Sequence, residues 1–141
     1  MEVAHVRNRL RRAIDGAKDH AQSRRQQVAQ GEQAFDAFLT MATPVLRQLA
    51  NALRVENLPF TLFTPERALR LASDRSRVDF IELTLDTSGE RPLVLARISC
   101  ARGSRTSDEE RAMRPDIPLE SISEEDVLDF CLGALEPWLE R

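Results

Sequence analysis

The sequence predicts an α+β fold: a long N-terminal helix (kinked or paired with a second helix), an antiparallel four- to five-stranded β-meander and a C-terminal amphipathic helix. Three observations point to it. Apolar residues recur at helical spacing without a proline from residue 3 to residue 41, the apolar period changes to two after Pro59, and a leucine stripe follows a capping serine near the C-terminus. The 141 residues read as one domain, with a helical, coiled-coil-like arm over 1–56, the sheet over 59–114 and the terminal helix over 123–140.

The first helix is carried by Val3, Val6, Leu10, Ile14, Ala17, Ala21, Val28, Phe35 and Leu39. At 100° per residue they fall within an arc of about 80°, a seam rather than a broad core face. Their steps resemble heptads with one stutter near Leu10–Ile14. Gly16 and Gly31 weaken the helix without breaking it. Thr43-Pro44 reads as an N-cap followed by a first-turn proline, so a kink or short break is expected near residues 41–44, before a second segment that buries Val45, Leu46, Leu49 and Leu53. A helix of about 39 residues spans roughly 58 Å, against a body about 37 Å across for a chain of this length. It must overhang or fold back, and an overhanging apolar seam needs a partner.

Beyond Pro59, FTLF (60–63) and ALRLA (68–72) read as short strands. VDFIELTLD (78–86) and PLVLARISCAR (92–102) flank the turn signal TSGE and form a hairpin. Centring its turn on Ser88-Gly89 sets residue 82 opposite 95 and residue 80 opposite 97. One face then carries Ile81, Leu83, Leu85, Val94, Ala96, Ile98 and Cys100, a core. The other carries Phe80, Glu82, Thr84, Leu93, Leu95 and Arg97, too apolar for open solvent and too polar for an ordinary interior. Either a helix of the chain covers it, with Glu82 paired to Arg97, or a partner does. GSRTSDEERAMRPDIP reads mostly as loop, with an edge strand near Arg111–Arg114. Ser123 caps the last helix, Leu128, Leu132, Leu135 and Leu139 form its stripe, and Pro137 should distort or end it.

Charge is the strongest compositional feature. The net charge of −3 hides nine basic and five acidic residues over 1–54 (+4), eight and seven over 55–105 (+1), and three and eleven over 106–141 (−8). Seven of the twenty basic residues lie between His5 and Gln27. Hydrophobic content of 42% with 30% charge fits a globular chain, and no apolar run reaches the roughly 20 residues that span a bilayer. No membrane role is expected. The start, MEVAHVRNRL, lacks the apolar region of a secretory signal, and Cys100 and Cys131 form no CxxC pair, so a bacterial-type cytoplasmic protein with reduced cysteines is expected.

Motifs for catalysis are absent from this reading. His5 and His20 are too far apart to share a metal, and no glycine-rich loop follows a strand. Cys100 has no histidine near it in any predicted element. Asp79 and Glu82 form an acidic pair without the lysine a nuclease would use, and Asp108-Glu109-Glu110 reads as a solvated run. No catalytic residue, metal or cofactor is therefore expected.

The basic residues are more informative. Arg7, Arg11, Lys18 and Arg25 fall within about 40° of one another beside the apolar seam, where coiled-coil flanking positions would be. Their own helix offers little opposite charge, since only Asp36 shares the stripe. Either the acidic C-terminal segment, in the same chain or another subunit, or a phosphate backbone would neutralise them. The resulting expectation is a non-enzymatic homodimeric protein-protein interaction module, adaptor- or chaperone-like. Val3, Val6, Leu10, Ile14 and Ala17 would form the dimer interface, and Phe80, Glu82, Leu93, Leu95 and Arg97 a face for an unidentified protein partner. The alternative is a dimeric nucleic-acid-binding protein that uses Arg7, Arg11, Lys18 and Arg25. A small-ligand pocket between helices and sheet is a further, more distant possibility.

Overall fold

A computed structural model describes residues 1–140. Helix α1 (Val3–Val55) is followed by strands β1 (Phe60–Phe63), β2 (Leu69–Ser73), β3 (Phe80–Asp86), β4 (Leu93–Arg102) and β5 (Arg105–Met113). A single 3-10 turn (Leu119–Ser121) then leads into helix α2 (Glu124–Leu139). The strands pair in sequence order, each antiparallel to the next. This is the predicted α+β architecture, with five strands.

The expected break at residues 41–44 does not occur. Helix α1 runs for 53 residues, about 80 Å, straight through Pro44. Packing explains why. Phe38 and Ala42 before the proline, and Leu46, Leu49 and Leu53 after it, belong to one buried cluster that holds both halves in line. The proline ring faces solvent. The Thr43 hydroxyl donates to the Leu39 carbonyl at 2.6 Å and the Thr40 hydroxyl to the Asp36 backbone carbonyl at 3.1 Å, so Thr43 serves the helix interior rather than capping a new one.

Helices α1 and α2 lie on the same side of the sheet. The buried cluster joins them to Leu69, Leu71, Ile81, Leu83, Val94 and Met113, all on one face of the strands. The two helices run in the same direction. Trp138, near the end of α2, meets Phe60 edge-on at 5.5 Å just after α1 ends, and Leu119–Ile122, before α2 begins, line a cavity with Ala34–Met41.

Two strand details differ from expectation. Asp86 faces Leu93 and Glu82 faces Arg97, a register two residues away from the one centred on Ser88-Gly89. The cause lies in the turn, where Asp86 accepts the Ser88 N–H at 2.9 Å and its hydroxyl at 2.6 Å, carrying the reversal one residue further. A shift of two keeps every side chain on its expected face. The segment read mostly as loop is instead the nine-residue strand β5, paired along its length with β4. Gly103, at φ +64, closes that hairpin. Its polarity hid it, because an edge strand is exposed along most of its length and only Met113 at its end is buried.

Candidate functional site

The N-terminal half of α1 lies outside the body. Every residue from Met1 to Gln27 is exposed, and burial begins at Val28 and Gly31. Along this arm Val3 is 72%, Val6 50%, Leu10 59% and Ile14 44% exposed, and Ala17 is open as well. The seam continues the helix face that Phe35, Ala42 and Leu46 press onto the sheet, within about 40° of drift. The sheet simply ends before the apolar face does. Arg24 fixes the point of departure, donating to the Gly89 carbonyl at 3.0 Å and the Thr87 carbonyl at 2.5 Å in the β3–β4 turn.

Arg7, Arg11, Lys18 and Arg25 stand in a row beside this seam, all exposed. Among the described residues none of them makes an ion pair or a hydrogen bond, so the acidic C-terminal segment of the same chain does not neutralise the stripe. The arm carries it away from the body.

The second sheet face faces away from both helices. Phe80 is nonetheless buried, because the Arg70 guanidinium lies 4.0 Å from its ring centroid and that of Arg97 5.5 Å. Each arginine is held from its own side. Arg70 pairs with Glu82 at 2.8 Å, and Arg97 grips both oxygens of Asp108 at 3.1 and 2.8 Å. The expected Glu82–Arg97 pair is thus replaced by two others, although Glu82 and Arg97 are register neighbours. Charge-assisted bonding to Arg97 holds the Asp108 carboxyl below the usual carboxylate range. Leu93 and Leu95 are half-buried beside this network. The face carries two self-paired arginine–carboxylate bridges over one phenylalanine, and the described helices pack on the opposite face.

Helix α2 departs from its expected orientation. Val127, Cys131, Ala134, Leu135 and Trp138 are buried, whereas Leu132 is 41% and Leu139 48% exposed and Leu128 is half-buried. Of the four stripe leucines only Leu135 enters the core. The helix has two apolar stripes about 100° apart, and the one that carries Val127, Cys131, Ala134 and Trp138 faces inward. An apolar arc too wide for one face was the signal in the sequence. On the outer side Leu128, Leu132 and Leu139 run beside exposed Glu125, Asp129, Glu136 and Glu140.

Asp79 is buried and accepts the Ala101 N–H at 2.7 Å, tying the β2–β3 turn to β4. Thr61 and Arg54 both bind Asp74, and its carboxyl is lowered first by the Thr61 hydroxyl and then by Arg54. His5 and His20, fifteen residues apart on one helix, are separated by about 22 Å of axial rise. Among the described residues no three His, Cys, Asp or Glu side chains gather as metal ligands, and no helix is long and apolar enough to cross a membrane. A cavity of about 590 Å³ lies at the foot of the helices, lined by Asn57, Arg75, Asp79 and Trp138 among others. Among the described residues the Trp138 indole N–H meets no acceptor.

No protein-family model matches this chain, and no curated protein and no solved structure is significantly similar to it.

Proposed function

We propose that this chain is a homodimeric protein-protein interaction module without a catalytic site of its own, whose N-terminal arm binds a second copy through Val3, Val6, Leu10, Ile14 and Ala17. The observation that carries the reading is the half-helix that projects with four large apolar side chains open to water. Burying them in a contact removes apolar area from solvent at about 25 cal/mol per Å², and an isolated amphipathic helix gains most of its stability from such packing. The face around Phe80, Glu82, Leu93, Leu95 and Arg97 is the surface left for a protein partner, because the helices of the chain occupy the opposite side of the sheet.

Light scattering across a concentration series tests the dimer. A mass of twice 16.0 kDa is expected for the wild-type chain, and half that for the Leu10→Asp/Ile14→Asp variant with its sheet intact by circular dichroism. A wild-type chain that stays monomeric at 100 μM ends this reading. The second reading, nucleic-acid binding, is favoured by one observation, the lack of a partner for Arg7, Arg11, Lys18 and Arg25 among the described residues. Duplex binding that weakens steeply with salt and disappears in the Arg7→Glu/Arg11→Glu/Arg25→Glu variant would support it.

A further inference from the structure

We infer that the arm of one copy lies antiparallel on the outer face of α2 of the second copy, and that the two copies exchange arms reciprocally. The inference rests on the dimer reading above and assigns the surface that receives the arm.

Spacing is the first argument. On the arm, Val3, Leu10 and Ile14 are separated by steps of seven and four. On α2, read backwards, Leu139, Leu132 and Leu128 are separated by the same steps. An antiparallel alignment therefore sets Val3 on Leu139, Leu10 on Leu132 and Ile14 on Leu128 in one register. All three leucines keep exposed area on the outer side of α2.

Charge is the second argument, and it fixes the direction. The basic stripe of the arm lies about 80° from its seam, and the acidic stripe of α2 about 70° from its outer leucines in the same rotational sense. Two such helices bring those flanks together only when they run antiparallel. The register set by the apolar residues then brings Arg7 within one residue of Glu136, Lys18 within one residue of Glu125, and Arg11 to a level between Asp129 and Glu136. The basic arm meets the acidic C-terminal segment between subunits, which it does not do among the described residues of one chain.

Area and length supply the third. The arm, residues 3–27, is about 38 Å long and about 10 Å wide. Only residues 3–18 lie against the 16 residues of α2 in this register, a contact about 24 Å long, so two reciprocal contacts bury about 960 Å² against about 750 Å² for arm on arm, an area that belongs with the smaller, weaker interfaces. Helix α1 runs from residue 3 to residue 55, so its midpoint is Ala29, where the body begins. A two-fold axis at that level lays each exposed half along the buried half of the other copy, an isologous arrangement that closes.

A charge-swap experiment tests the placement. One variant carries Arg7→Glu/Lys18→Glu, and the other Glu125→Lys/Glu136→Lys. Each alone should weaken the dimer tenfold or more by sedimentation equilibrium, since every arm would meet like charge. Mixed in equal amounts they should form a heterodimer near wild-type affinity, because both contacts again pair opposite charges. If the α2 variant dimerises as the wild type does, the arm docks elsewhere and this inference falls while the dimer stands. If the wild-type chain itself is monomeric, the dimer reading has failed first. As a second measurement, a chain with both Leu10→Cys and Leu132→Cys should oxidise to a covalent dimer, and the single variants should not. Cross-linking by Leu10→Cys alone would place arm on arm and overturn the inference.

Discussion

Gly31 and Pro92 leave no room between them. A Cβ added to Gly31 would lie 3.0 Å from the Pro92 Cβ and 3.7 Å from Cγ2 of Thr87. The contact sits where the arm leaves the body, about two helical turns beyond the hydrogen bonds from Arg24 to the same β3–β4 turn. Gly31→Val should cost about 1–3 kcal/mol by overpacking, read as a lower denaturant midpoint. Gly16, with nothing within 4 Å, makes the contrast. There Ala removes a helix penalty of about 1 kcal/mol, and helix content by circular dichroism should rise.

Pro44 costs the helix a hydrogen bond that packing outweighs. An interior proline is about 3 kcal/mol less favourable than alanine, offset by up to about 1 kcal/mol from its stiffening of the unfolded chain. Pro44→Ala should therefore stabilise the protein by about 2 kcal/mol in urea denaturation. An unchanged or lower midpoint would mean that the proline itself shapes the helix.

The start of α2 is held by a reciprocal cap. The Ser123 hydroxyl accepts the Asp126 N–H at 3.1 Å, and Asp126 accepts the Ser123 N–H at 2.9 Å. Ser123→Ala should cost about 1 kcal/mol. The Ser123 N–H, then its hydroxyl, then Arg114 hold the Asp126 carboxyl below its ordinary value. Its contribution to stability is thus fully present above the unfolded value near pH 3.9 and is lost as pH falls through the lower folded value. Asp126→Asn should flatten the acid limb of a stability-versus-pH curve.

Cys131 has the opposite sign. Burial pushes its thiol up to about 12, above the ordinary value near 8.5. Between those values the unfolded chain ionises and the folded chain does not, so stability is complete below about pH 8.5 and declines as pH rises toward 12. With no tyrosine and a single lysine in the sequence, few other side chains titrate there. Cys131→Ala should reduce that slope, and a thiol reagent should reach Cys131 only as fast as the protein opens. Rapid labelling of the native chain would contradict the burial.

Much of the fold was legible because period and capping are local. FTLF matched β1 residue for residue, the hairpin faces sorted correctly despite the slipped turn, and Ser123 announced α2. What failed was non-local. Pro44 looked like a helix start because its penalty is visible in sequence, whereas the flanking core that overrides it is assembled from α1, α2 and the sheet. Only the end of strand β5, near Arg111–Arg114, was legible, because an edge strand need not alternate. The leucine spacing of α2 marks an apolar stripe, but a second stripe through Val127, Cys131, Ala134 and Trp138 is the one buried, and which of the two meets the sheet depends on packing beyond the helix itself.

The sequence by itself determined the class of fold, the order of its elements and the presence of an apolar seam beside a basic stripe, since each depends on residues a few positions apart. Only the tertiary structure decided that α1 is one helix, that its first half stands free while its second half is buried, and which side of α2 faces water. Those outcomes depend on where the sheet ends beneath the helix, a distance set by packing between residues far apart in the chain.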